Sequence, residues 1–152
     1  VTLSLDASVL IDLLRRRDAE SVQRFSDAVL ASIEMVVSAL VLHEIHTGLT
    51  DRAPDRRLLQ LEILLAQCML ADFTAVDSKA SGRLRAHLWE RGTPIGELDT
   101  LIAGQALARG WTVVTRNVRH FGRVEGLRLI DWAEGSEPLT ADRIAQRLAE
   151  KS

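Results

Sequence analysis

At 152 residues the chain is long enough for one domain with a sizeable hydrophobic core. Hydrophobic residues make up 47% and charged residues 26%, an ordinary globular balance, and a net charge of −2 excludes an overall electrostatic footprint for nucleic acid. No apolar run reaches the ~18 residues that cross a bilayer and no signal-peptide pattern opens the chain, so no membrane association and a cytoplasmic location are expected.

Leu3, Ser4 and Leu5 alternate into Asp6 and read as a first strand over 2–6. A helix over 7–17 follows, with Val9, Leu10 and Leu13 at helical spacing, then a second over 20–31. Residues 35–37 form a short buried strand, and Ser38 at its end is placed to cap the next helix. In that helix Val41, Glu44, Ile45 and Gly48 fall at i, i+3, i+4 and i+7, which puts Glu44 on the apolar stripe. Residues 50–57 are polar, and Pro54 can start a helix running to about Cys68.

A strand is expected over 69–73, then a helix capped by Asp77 that runs to about Arg91 and is broken over 92–96. The helix over 97–109, stopped by Gly110, carries Asp99, Ile102, Ala103 and Ala106 on one stripe, so a second acid points inward. A strand over 111–115 has Asn117 just past its end, and a last short strand over 127–130 precedes Asp131 and Trp132. Residues 136–152 end as an amphipathic helix on Ile144 and Leu148.

Strands alternating with helices give an α/β fold: a central, mostly parallel sheet of four to five strands flanked by helices. We place the domain at 1–132 and a C-terminal extension with a short helix at 133–152. Ligands of such sheets bind beyond the carboxyl ends of the strands, at a switch point. Asp6 and Asn117 lie at strand ends, and Glu44 lies in a helix that follows one. The chain has no Gly-x-Gly-x-x-Gly after the first strand and no Gly-Lys-Ser/Thr loop, which argues against dinucleotide and P-loop nucleotide binding.

Each acid has a plainer reading. Asp6 could cap a helix, Glu44 could be a core acid paired with an arginine, and Asp99 could simply favour a helix dipole. Yet a buried carboxylate costs several kcal/mol unless something positive meets it. Three of them at element ends suggest one acidic pocket that holds a metal.

The motifs around these acids resemble those of PIN-domain ribonucleases, most closely the VapC toxins of bacterial VapBC toxin–antitoxin pairs. Leu5-Asp6-Ala7-Ser8-Val9-Leu10-Ile11 is similar to the family's opening block, and Ser38 with Glu44 and Gly48 to the second. Ile95-Gly96-Glu97-Leu98-Asp99-Thr100-Leu101-Ile102-Ala103 resembles the third, and Thr115-Arg116-Asn117 through His120-Phe121 to Trp132 the closing block. The four occur in order across residues 3–132.

The resemblance implies a toxin that cleaves RNA phosphodiester bonds with Mg²⁺ or Mn²⁺, as a homodimer inhibited by a VapB-type antitoxin. It assigns Asp6 and Asp99 as metal ligands, Glu44 as the group that orients or deprotonates water, and Asn117 as the fourth member. Ser8 and Thr115 are implied as supporting hydrogen-bonding groups. Many relatives carry an aspartate where this chain has Asn117, and an amide brings no charge. The competing class is a PIN-like RNA- or protein-binding scaffold without useful activity. A phosphoryl-transfer receiver domain would need paired acids after the first strand and a lysine late in the sheet, and Arg116-Asn117 supplies neither.

Other chemistry-bearing residues are read as structural. His43 and His46 form His-Glu-x-His, not the His-Glu-x-x-His of a zinc site. The single Cys68 is expected as a buried bystander, and Trp89, Trp111 and Trp132 as core or interface residues. His120 is expected as a packing or hydrogen-bonding residue. All basic residues but Lys79 and Lys151 are arginine, a side chain that grips phosphate in a planar fork.

Overall fold

The structure is a computed structural model that describes residues 1–49 and 55–150. Pro54, expected to open a helix, lies outside these residues. The elements are β1 (Thr2–Leu5), α1 (Ala7–Arg15), α2 (Ala19–Leu30), β2 (Glu34–Ser38), α3 (Ala39–Leu49), α4 (Asp55–Leu65) and β3 (Met69–Ala71). They continue with α5 (Ala75–Glu90), α6 (Glu97–Arg109), β4 (Thr112–Val114), α7 (Val118–Phe121), β5 (Leu129–Ile130) and α8 (Ala141–Ala149). The five strands form one sheet in the order β3-β2-β1-β4-β5, parallel throughout.

The central strands read as near-continuous apolar runs because helices cover both faces of the sheet. Leu3, Leu5, Met35, Val36, Val37, Val113, Val114 and Leu129 are all buried. From β1 the chain moves outward to β2 and β3, then returns to the other side of β1 as β4. The reversal leaves a crevice between the ends of β1 and β4, locked in register by the Leu5–Val114 pair and by Asp6 N–H donating to the Val114 carbonyl at 3.0 Å. Asp6 and Thr115 directly follow the ends of these two strands.

α6 is carried against α5 by an unusually close approach. A Cβ on Gly104 would lie 2.4 Å from Ser81 Cα, so only glycine lets the two backbones meet. Gly110, at φ 69°, then closes α6 in the left-handed conformation that glycine adopts without penalty. Ser38 does cap α3, its Oγ accepting from Leu40 N–H at 3.2 Å.

Asp77 does not begin α5 as its cap. Thr74 holds that position, and Asp77, three residues on, reaches back to the Thr74 N–H at 2.8 Å as half of a capping box. Asp77 is fully buried, because it also receives Arg109 from α6 at 2.8 Å and Gln105 at 3.2 Å. Among the tryptophans, Trp132 is core and packs edge-on to Phe25, whereas Trp89 is 62% exposed. Gly48 is exposed too, so the stripe on α3 ends at Ile45. Among the described residues no helix is long and apolar enough to cross a membrane.

Candidate active site

Asp6 and Asn117 both occupy N-cap positions, of α1 and α7, and neither side chain caps its helix. Each turns into the crevice instead. Asp6 Oδ2 accepts from the Thr115 hydroxyl at 2.7 Å and the Ser8 hydroxyl at 3.0 Å. Asn117 Nδ2 donates to Asp99 Oδ2 at 3.2 Å, while its own N–H donates to Thr115 Oγ1 at 2.9 Å. Thr115 therefore ties the Asp6 side of the crevice to the Asn117 side. The Ser8 hydroxyl in turn accepts from Arg116 N–H at 3.1 Å.

Asp99 enters from the first turn of α6, beside Gly96, where a Cβ would sit 3.7 Å from Asp99 Oδ2. His120 Nδ1 lies 2.7 Å from that same oxygen and 3.1 Å from Asn117 Nδ2. His120 is thus the hydrogen-bonding residue of the two expected alternatives, and a direct neighbour of the third acid. Its signal in the sequence is its place three residues after Asn117, which α7 converts into one shared face.

Glu44 comes from α3 and is half-buried. Its Oε1 is shut off from solvent and has no hydrogen-bond partner. The arginine-paired core acid is therefore not what Glu44 is. Burial raises its carboxyl to about 7, and repulsion from Asp6 and then Asp99 adds to the rise. Asp6 is also raised, first by burial and in smaller part by Asp99, against the opposing bonds from Thr115, Ser8 and the Ala7 backbone. Glu44 is repelled by both Asp6 and Asp99, so the three carboxyls lie near one another.

A divalent hard cation suits this donor set. The groups are oxygens, burial and then mutual repulsion raise the Asp6 and Glu44 carboxyls, and one buried carboxylate oxygen lacks any partner. Among the described residues no three Asp, Glu, His or Cys side chains stand together as a ready-made metal cage. His43 and His46 lie exposed on α3 and belong to no such group.

Cys68 is half-buried, with its thiol pushed up to about 11 by burial and 3.7 Å from the Leu64 carbonyl; it is inert as a nucleophile. Sequence reading also passed over Arg116, between the two crevice-facing residues. Its guanidinium pairs with Asp12 at 2.8 Å and with the buried Asp131 at 3.5 Å.

A family model described as the PIN domain matches residues 3–127. The chain is 34% identical over 130 residues to the tRNA(fMet)-specific endonuclease VapC of Shigella flexneri, covering 85% of this chain and 96% of that one. It is 30% identical over 129 residues to Ribonuclease VapC2 of Haemophilus influenzae, covering 84% of this chain and 96% of that one. Among solved structures, DNA-bound VapBC from Salmonella typhimurium superposes with a TM-score of 0.78 at 32% identity, over 87% of this chain and 98% of that one. VapBC2 from Rickettsia felis, bound to a promoter DNA fragment, gives 0.80 at 26% identity, over 87% and 99%.

Proposed function

Because the chain belongs to the PIN domain family, we propose that it is a VapC-type toxin, an endoribonuclease that cuts RNA phosphodiester bonds with Mg²⁺ or Mn²⁺ and is restrained by a VapB-type antitoxin. The observation that carries this reading is the crevice at the sheet's switch point, where Asp6, Glu44, Asp99 and Asn117 converge and a buried Glu44 oxygen lacks a partner. The names of the Shigella and Haemophilus relatives support ribonuclease activity, and the VapBC structures support an antitoxin partner.

Asp6 and Asp99 are the residues that would hold the cation, with Asn117 adding an uncharged amide oxygen if its side chain turns. A divalent ion, when bound, supplies charge against the phosphoryl oxygens and Lewis acidity toward water. Ser8 and Thr115 hold Asp6 by one oxygen, which fixes the direction of the carboxylate. His120 and Asn117 do the same for Asp99. The Glu44 carboxyl, raised to about 7, is matched to taking a proton from the attacking water near neutral pH. The phosphodiester then breaks at the bond opposite the incoming water, and the leaving oxygen takes up a proton from solvent.

The antitoxin would lie over α1 and α4. Leu13, Leu14, Ile63 and Leu64 line a cavity of ≈ 260 Å³ there. A second cavity of ≈ 60 Å³ leads from Ile11, Leu14 and Leu49 to Glu44, with Arg15 and Arg57 on its wall. An apolar segment ending in a basic side chain fits the two in series, the cation standing in for the metal's charge. A homodimer and a cytoplasmic setting are part of the same reading, as is a catalytic domain over 1–132 with an extension over 133–152.

Sequencing of RNA ends after induced expression tests the function. Expected are new ends at defined sites with the wild-type protein, none with Asp6→Asn, and suppression on co-expression of the antitoxin. Identical ends with and without the Asp6 carboxylate would refute the assignment.

A further inference from the structure

The extension ends in α8, which begins fourteen residues after the family match stops at residue 127. It is not a loose tail. A Cβ on Gly122, at the end of α7, would meet Ile144 Cγ2 at 2.9 Å, so α8 rests directly on the turn that follows α7. Arg147 is 15% exposed and reaches inward from this helix. Its guanidinium donates to Asp131 Oδ2 at 2.9 Å, to Glu134 Oε1 at 2.8 Å and to the Arg116 carbonyl at 3.5 Å.

Asp131 is 2% exposed, and its other oxygen accepts from Ala133 N–H and faces Arg116 Nε at 3.5 Å. Arg116 is the middle residue of the turn whose flanking members touch the acids: Thr115 holds Asp6, and Asn117 holds Asp99. From outside, that turn is fixed by Asp12, Asp131 and Arg147; from inside, Arg116 N–H rests on the Ser8 hydroxyl that also holds Asp6.

We propose that α8 is a working part of the nuclease, with Arg147 as a positioning residue that, through Asp131 and Arg116, sets the 115–117 turn and so aims Asp6 and Asp99. The inference rests on the active-site assignment above. Arg147 touches neither acid, so its effect reaches the chemistry only through the placement of the turn. A planar fork is suited to this because it meets two carboxylates and a carbonyl at fixed angles. A lysine would keep the charge and lose most of the geometry.

Three full-length variants separate positioning from helix docking: Arg147→Met, Arg147→Lys and Arg143→Met. Arg143 holds α8 through Glu134 and Glu150 but makes no bond to Asp131 or Arg116. Three readouts apply: amide NMR shifts of the metal-free protein, Mn²⁺ affinity by calorimetry, and cleavage kinetics.

Arg147→Met is expected to shift the Thr115, Arg116 and Asn117 amides, to weaken Mn²⁺ binding about fivefold or more, and to lower kcat about tenfold, with KM for RNA within about twofold. Arg147→Lys should recover part of the loss. Arg143→Met should lower the thermal midpoint without moving the other three readouts. If Arg147→Met and Arg143→Met differ in none of them beside a wild type that binds Mn²⁺ and cuts RNA, the inference falls alone. A folded wild type that neither binds Mn²⁺ nor cuts RNA overturns the proposed function, and this inference with it.

Discussion

Two residues decide the site by what their side chains decline to do. Asp6 stands where a helix cap stands but does not cap α1, because Ser8 and Thr115 draw its carboxylate into the crevice. Glu44 stands on a buried stripe and has no arginine on its inner oxygen. A proton therefore substitutes for a cation there. Its folded carboxyl titrates near 7 against an ordinary 4.5, so the folded state binds more protons than the unfolded chain between those values. The Glu44 contribution to the stability of the metal-free protein is therefore full below about 4.5 and is lost as pH rises through about 7. Melting curves from pH 5 to pH 8 should show that fall, and Glu44→Gln should flatten it, since the amide carries no charge at any pH. A fall of equal size in Glu44→Gln would place its origin elsewhere.

At the scale of elements, the sheet and its helices were legible because the strands are short and mostly apolar, β1 by alternation, and α1, α3 and α6 keep a buried stripe. Less legible was whatever depends on a distant partner. α7 is four residues long, too short for any periodicity to announce it, and it alone brings His120 round to Asp99. Asp77 looked like a cap because acids favour helix starts; its actual place was set by Arg109 and Gln105, some thirty residues away in sequence.

Burial alone would raise the Asp77 carboxyl. Arg109, the Thr74 N–H, Gln105 and the Thr74 hydroxyl outweigh it and bring it down to about 2. A depressed acid stabilises the fold above its unfolded value, so this contribution is present above about pH 4 and is lost as pH falls toward 2. Its size is at most about 2 kcal/mol, since the Arg109 side chain is 33% exposed and its charge is screened. Urea midpoints of wild type and Asp77→Asn should differ at pH 6 and converge near pH 2. Gly104→Ala is the harsher change, because its methyl would press on the Ser81 backbone. A loss of about 1–3 kcal/mol is expected in urea unfolding, with Mn²⁺ binding weakened as α6 and its Asp99 move away.

Over the whole molecule, the order β3-β2-β1-β4-β5 gathers residues 6, 44, 99 and 117 at one end of the sheet, although they are spread across most of the chain. Motif resemblance and acids out of place singled the four out as candidates. Their mutual support was not readable, because it runs through Thr115, Arg116 and Asp131, which look like ordinary polar residues until the fold brings them together. In the proposed reading the antitoxin would cover the apolar surface of α1 and α4, whose two cavities share Leu14 and reach Glu44.

The most direct test of the account is RNA cleavage by purified wild type and Asp6→Asn across a Mn²⁺ titration, with thermal midpoints recorded on the same samples. The expected result is saturable, metal-dependent cleavage by the wild type and a rise in its midpoint with Mn²⁺. Asp6→Asn should show neither, while melting in metal-free buffer no lower than the wild type, since a crowded buried charge has been removed. Cleavage by Asp6→Asn at saturating Mn²⁺, at a rate near that of the wild type, would contradict the central claim that these acids form one metal-dependent nuclease site.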